Sequence, residues 1–243
     1  MDVSEVRSRV VRQLPGGARG VAVRLAVALL LLLATAMTAG WVVTRAEDAR
    51  GFQRADSAFV RWLAGNRVST LDDLSGPVAE LGNTAVVIGI AVAVAVVLVV
   101  LRRPRWVLVL AIALVGEVAI FLTTAAVIDR RRPPVPHLDS ELPPTSSFPS
   151  GHTAAAVCLY GAIAVVVLAA VRGWWRWLVV ALAAGVVLAV ALSRLYRGAH
   201  YPTDVLGSVL FALPWLLLVV RLLAPGSPPV GAAPVRAVDD RTA

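Results

Sequence analysis

Two histidines in this 243-residue sequence stand where an imidazole could do acid–base or nucleophilic work. His152 closes the tetrapeptide Pro149-Ser150-Gly151-His152, immediately before a long apolar run. The first turn of a helix leaves backbone N–H groups unpaired and carries partial positive charge. Ser150 is a natural cap, and Gly151 lets an anion approach the backbone closely. The result is an anion site with an imidazole beside it, able to protonate a leaving group. A simple helix cap with a nearby histidine accounts for the tetrapeptide equally well. His200 and Asp204 are four residues apart at the entrance to a later apolar run. With Pro202 in the first turn of a helix, the carboxylate can reach the ring. An Asp that holds one ring nitrogen frees the other as a nucleophile and stabilises the cation that develops. Taken alone, a structural His–Asp pair is the simpler account.

Arginines tip this balance. Arg132 follows one apolar run and Arg194 ends another, both on the side where the run after His152 begins. Guanidinium groups hold phosphate oxygens in bidentate fashion and keep their charge. Three arginine- or histidine-bearing segments therefore converge at one face.

The elements that must carry these residues are membrane spans. The chain is 58% hydrophobic, and the excess lies in long uninterrupted runs. A span needs about 20 apolar residues. Six segments qualify, near 23–43, 84–101, 106–128, 153–171, 177–193 and 203–222. The expected fold class is all-α, a six-transmembrane-helix bundle over 23–223, with a tail at 1–22 and a disordered tail at 224–243. Ala34-Thr35-Ala36 resembles a cleavage site, but the run is longer than the ~7–15 residues of a signal-peptide core. It reads as an uncleaved first span. The loop 44–83 carries Phe52, Phe59, Val60, Leu63 and Leu71, and reads as one or two short interfacial helices or as an ordinary amphipathic loop.

Every Lys/Arg position is arginine, and the net charge is +8. Arg7, Arg9, Arg12, Arg19, Arg24, Arg102, Arg103, Arg105, Arg172, Arg176 and Arg221 all fall on one side of a six-span layout. The positive-inside rule makes that side, and both termini, cytoplasmic, with the histidines on the outer face. Trp106, Trp174, Trp175 and Trp177 stand where interface anchors are expected. The arginines form no basic stripe on a soluble domain, so nucleic acid is not an expected partner. Cys158 is alone, which excludes an internal disulfide or a cysteine metal cluster. Glu117 lies mid-span; intramembrane acids are costly, and either a function or a protonated, hydrogen-bonded carboxyl explains it, the latter being favoured because it sits roughly two turns below the histidine level. His137 reads as an exposed polar residue, and Tyr196 and Tyr201 as packing.

These residues resemble the type 2 phosphatidic acid phosphatase superfamily, which also includes vanadium haloperoxidases. Its motifs are Lys-x6-Arg-Pro, Pro-Ser-Gly-His and Ser-Arg-x5-His-x3-Asp. The second matches at Pro149 to His152, and the third at Ser193, Arg194, His200 and Asp204. The first matches at Arg132-Pro133, with Ala125 in the lysine position. The resemblance implies that His200 is the nucleophile forming a phosphohistidine, that Asp204 orients it, and that His152 protonates the leaving oxygen and then helps activate water. It implies that Arg132, Arg194, Ser150 and the Gly151 amide hold phosphate, with no metal and no other cofactor. The missing lysine calls for another cation; Arg130 is the expected substitute, with Arg131 and Arg197 as alternatives. The implied activity is hydrolysis of a lipid phosphate or diphosphate in the bilayer. An outward site favours a polyprenyl diphosphate, with phosphatidic acid and phosphatidylglycerol phosphate as competitors. A lipid-phosphate binding or transport protein and a phosphotransferase are the alternatives on the same fold.

Overall fold

Apolar runs long enough to cross a bilayer have one low-energy form there, because a helix satisfies its own backbone. The computed structural model of the chain describes residues 17–45, 52–139, 142 and 145–225. It contains eight helices among them: α1 (Gly17–Arg45), α2 (Phe52–Gly65), α3 (Ser69–Glu80), α4 (Thr84–Val100), α5 (Pro104–Val127), α6 (Gly151–Ala170), α7 (Trp175–Tyr196) and α8 (Pro202–Leu223). Helices α1, α5, α6, α7 and α8 are each long and apolar enough to span a membrane. Arg7, Arg9 and Arg12, and the tail beyond residue 225, lie outside the described residues.

The remaining span differs from the expected uninterrupted helix over 84–101. Helix α4 has 17 residues, which at about 1.5 Å each falls short of a ~30 Å hydrocarbon core. It joins α3 through a bend of 52°, and the pair together passes as a broken sixth span. Leu81, Gly82 and Asn83 make the break. The Asn83 side chain caps α4 by accepting from the Ala85 N–H at 3.0 Å. The Tyr160 hydroxyl of α6 donates to the Leu81 carbonyl at 3.0 Å, so a backbone group released by the bend keeps a partner. A Cβ on Gly82 would stand 2.7 Å from the His152 carbonyl oxygen, so glycine is what lets this break lie against the first turn of α6.

Helix α6 is the hub, packing on α5, α7 and α8, while α1 covers α5 and α8. The core between them is built from Val109, Ala113 and Ile120 of α5, Ala154, Cys158 and Ala162 of α6, and Phe211, Trp215 and Val219 of α8. Small residues on α6 let its neighbours approach closely, as membrane helix interfaces require. Leu31, Val96, Val115, Leu182 and Leu217 point outward, where lipid would cover them.

At the end of the bundle away from the histidines, Arg105 donates to the Leu223 carbonyl at 3.1 Å and satisfies the end of α8. That contact joins the turn between α4 and α5 to the close of the last span, two of the arginine-bearing sites grouped on one side by sequence. Trp174 and Trp177 are exposed there, as interface anchors should be. Trp106 is not: only 4% of it is exposed, and it packs in the core.

Candidate active site

Three segments meet at the other end: the described residues of the α5–α6 loop (128–139, 142 and 145–150), the turn 197–201 between α7 and α8, and the α2–α3 segment. The loop is closed on itself by Ser147 N–H donating to the Arg130 carbonyl at 2.8 Å. The α6 and α8 starts are pinned together by the Ser208 hydroxyl, which donates to the carbonyls of Ser150 (2.8 Å) and Asp204 (2.9 Å). The Arg67 guanidinium, between α2 and α3, donates to the Tyr196 carbonyl at 2.9 Å and to the Pro136 carbonyl at 2.8 Å. That draws the end of α7 under the loop.

His200 sits in this frame 5% exposed. Its Nδ1 lies 2.7 Å from the Ser147 carbonyl oxygen. A carbonyl only accepts, so Nδ1 carries the hydrogen and Nε2 keeps its lone pair. Asp204 is close, with Oδ2 3.7 Å from Nδ1, but that distance is outside hydrogen-bond range. The direct His–Asp hydrogen bond expected from the spacing is thus replaced by an arrangement through Ser147. The Ser147 carbonyl accepts from His200, while the Ser147 hydroxyl donates to Asp204 Oδ2. The same Oδ2 accepts from the Tyr201 N–H at 2.8 Å. Burial lowers the affinity of the His200 ring for a second proton; Asp204 opposes this, and Arg194 and Arg132 reinforce it, leaving the net shift downward.

His152 lies in the first turn of α6, half-buried, within electrostatic reach of His200, Arg194 and Arg132. Ser150 is the N-cap: its Oγ accepts from the Thr153 hydroxyl at 3.0 Å and the Thr153 N–H at 3.5 Å, and the residue is fully buried. A Cβ on Gly151 would stand 2.8 Å from the Phe121 ring, so glycine is required for packing at this helix start as well as for backbone access. Arg194, at the end of α7, faces Asp139 at 3.1 Å. Arg132 donates to the Ala199 carbonyl at 2.9 Å, which places it over the turn that carries His200. Burial, with Arg194 beside it, lowers the Arg132 proton affinity.

Ala125 leaves the lysine position half-buried and without charge in the last turn of α5. The residues expected to replace it are placed as follows. Arg131 is exposed. Arg197 is engaged by Asp139 at 2.6 Å, Ser75 at 3.0 Å and the Leu138 carbonyl at 2.9 Å. Arg130 is bound to Asp204 and Asp56. It is 2% exposed, its NH1 is bonded to Asp204 Oδ1 and to Thr203 Oγ1, its NH2 meets Asp56 Oδ2 at 2.9 Å, and its face stacks on Tyr201. Burial works against its charge, but Asp204 and Asp56 outweigh that and raise its proton affinity. Both terminal nitrogens of Arg130 are therefore bonded to carboxylates.

Glu117 is 1% exposed in α5, and its Oε2 lacks a hydrogen-bond partner among the described residues. His137 is exposed and bonds the Pro133 carbonyl at 3.1 Å. Tyr196 reaches Asp72 at 2.7 Å and ties α7 to α3. No group of three His, Cys, Asp or Glu among the described residues is arranged to hold a metal.

Sequence reasoning missed Asp56, Asp139, Ser147 and Thr203. For Asp56 a signal existed: it shares the i, i+4, i+7 stripe of α2 with Val60, which is 1% exposed, and Leu63. An acid on a buried stripe needs a partner.

Comparison with solved structures gives a transmembrane PAP2-type phosphatidylglycerolphosphate phosphatase from Bacillus subtilis, at TM-score 0.65 and 24% identity, covering 81% of this chain and 92% of the other. LpxE from Aquifex aeolicus aligns at TM-score 0.55 and 20% identity, covering 69% of this chain and 95% of the other. No curated protein sequence matches. The architecture is therefore that of membrane PAP2 phosphatases, and the chain is an integral membrane protein. Residues 104–225, half of the chain, match the PAP2 superfamily and contain His152, His200, Asp204, Arg130, Arg132 and Arg194. By that match, the chain belongs to the PAP2 superfamily.

Proposed function

We propose that the protein is a phosphohydrolase acting on a lipid phosphate or diphosphate, with His200 as nucleophile. The observation that carries this reading is the His200 ring, whose Nδ1–H is held by the Ser147 carbonyl at 2.7 Å so that Nε2 is unprotonated. Nε2 attacks the terminal phosphorus, its bond to the leaving oxygen (the lipid alcohol's in a monophosphate, the inner phosphate's in a diphosphate) breaks, and His152 delivers a proton to that oxygen. The phosphohistidine formed is cationic on its ring, and the Asp204 carboxylate 3.7 Å away offsets that charge. His152 then takes a proton from water as it attacks phosphorus, the bond from phosphorus to Nε2 breaks, and inorganic phosphate leaves. Arg132 and Arg194 hold the phosphate oxygens, with the first turn of α6 completing the cradle. Arg130 acts on Asp204 and not on phosphate.

The site lies at the end of the spans opposite Arg105, which favours an outward face under the positive-inside rule. An outward site favours a carrier lipid such as a polyprenyl diphosphate over phosphatidic acid or phosphatidylglycerol phosphate. The reaction as written requires no metal. Purified protein in detergent, offered these three lipids in the presence of a chelator, tests the reading. Phosphate release from at least one, lost in His200→Ala, is expected. Retained activity in His200→Ala would sink the nucleophile assignment. Binding without release would favour a lipid-phosphate carrier, and transfer to an added alcohol in preference to water would favour a phosphotransferase.

A further inference from the structure

Arg130 presents an electrostatic difficulty for the site. A lone Arg130–Asp204 pair would be neutral, and would cancel the negative charge that Asp204 offers to His200 as its ring becomes cationic. A second carboxylate prevents this. Asp56, on α2, bonds Arg130 NH2 at 2.9 Å and also accepts from the Thr203 hydroxyl and, at 3.3 Å, the Thr203 N–H. Thr203 Oγ1 in turn accepts from Arg130 NH1 at 2.7 Å. Asp56, Arg130 and Asp204 are 5%, 2% and 0% exposed, so water screens the group weakly. The three charges sum to a net negative one, and Arg130 divides its attraction between two carboxylates.

We propose that Asp56 is a positioning residue for catalysis: through Arg130 and Thr203 it fixes the Asp204 carboxylate and keeps the buried ion group behind His200 net negative. Asp56 lies outside the segment 104–225 that carries the family match, so this component is supplied by α2. The catalytic consequence rests on the functional reading above; the electrostatic one does not. The other charged or titratable groups around His200 are Arg132 on the loop, Arg194 on α7, His152 on α6 and Asp204 on α8. Of these, only Asp204 is linked to Asp56, through Arg130 and Thr203. Removing the Asp56 charge therefore disfavours the His200 cation and moves its titration to lower pH.

The experiment uses the full chain in detergent micelles and Asp56→Asn, which keeps an acceptor for Thr203 and loses the charge. With only three histidines in the chain, ring titrations are separable by NMR of histidine-labelled protein. The His200 midpoint is expected to fall by about half a unit or more in Asp56→Asn. On the substrate that the wild type hydrolyses, kcat is expected to fall about tenfold while KM stays within about twofold. Asp56→Glu should restore both. The double variant Asp56→Asn with Arg130→Met returns the group to net negative one, and its His200 midpoint should return toward the wild-type value. A clamp that is merely structural predicts further damage in the double variant instead. An unchanged midpoint in Asp56→Asn, or a midpoint that stays low in the double variant, overturns the proposal. If Asp56→Asn does not fold, Asp56→Ser, smaller and neutral with an oxygen acceptor, carries the same comparison. A wild type inert on every lipid phosphate contradicts the functional reading alone, because the ring titration needs no substrate.

Discussion

At the scale of single residues the site is a set of charges held by one another more than by solvent. Arg130 has two carboxylates on its terminal nitrogens and is 2% exposed. Arg130→Met leaves both acids buried without a counter-ion, and is expected to cost about 3–5 kcal/mol of stability. Thermal unfolding in detergent measures this, and an unchanged midpoint would contradict the ion group as described. The acid limb of kcat/KM offers a second check. Burial shifts His200 downward, and in the proposed mechanism the neutral ring is the nucleophile. The limb set by His200 therefore lies below the ordinary histidine value of about 6.5. The linked stability has the same sign: it is fully present above that value and is lost as pH falls toward the folded-state midpoint, because the unfolded chain binds the proton first. His152, His200, Arg132, Arg194 and Asp204 were legible because their types and spacing fall within short motifs. Asp56 and Ser147 were not. Asp56 acts on a residue 74 positions away, and Ser147 acts on His200 through a backbone carbonyl, which no side-chain pattern encodes.

At the scale of elements, hydropathy alone located the five long apolar helices to within a few residues at every end but the start of α1, since bilayer thickness sets the length of the apolar run. It did not locate the bend between α3 and α4. The break at Leu81–Asn83 reads as an ordinary loop in sequence, and only the close approach of Gly82 to the His152 backbone gives it meaning. Gly82→Ala places a methyl group 2.7 Å from the His152 carbonyl oxygen, against backbone and not a flexible side-chain tip. The first turn of α6 must move, at a cost of about 1–3 kcal/mol. Activity should fall in this variant by a larger factor than it does in Gly89→Ala, a glycine of α4 with open space around it. Equal activities would mean that the break does not position His152. Trp106 teaches the converse lesson. Its place beside an arginine turn suggested an interface anchor, but α5 turns it inward, a choice made by helix phase and not by position along the span.

At the scale of the whole molecule, the arrangement places His152, His200 and Asp204 at one end of the bundle and Arg105 and the arginines of the α6–α7 turn at the other. The orientation is open to direct measurement, because Cys158 is buried and is the chain's single cysteine. Introduced one at a time, Arg131→Cys on the site side should react with an impermeant maleimide in intact cells. Arg172→Cys, in the α6–α7 turn, should react only after permeabilisation. The reverse pattern would put the site on the cytoplasmic face and remove the argument for an externally exposed carrier lipid. The central claim, covalent catalysis by His200, is tested most directly by rapid acid-free quenching of the protein during turnover of a lipid phosphate labelled in its phosphoryl group. The account predicts an acid-labile, base-stable phosphoprotein that maps to His200 and is absent in His200→Ala. Turnover with no trapped label, or label that persists in His200→Ala, would contradict it.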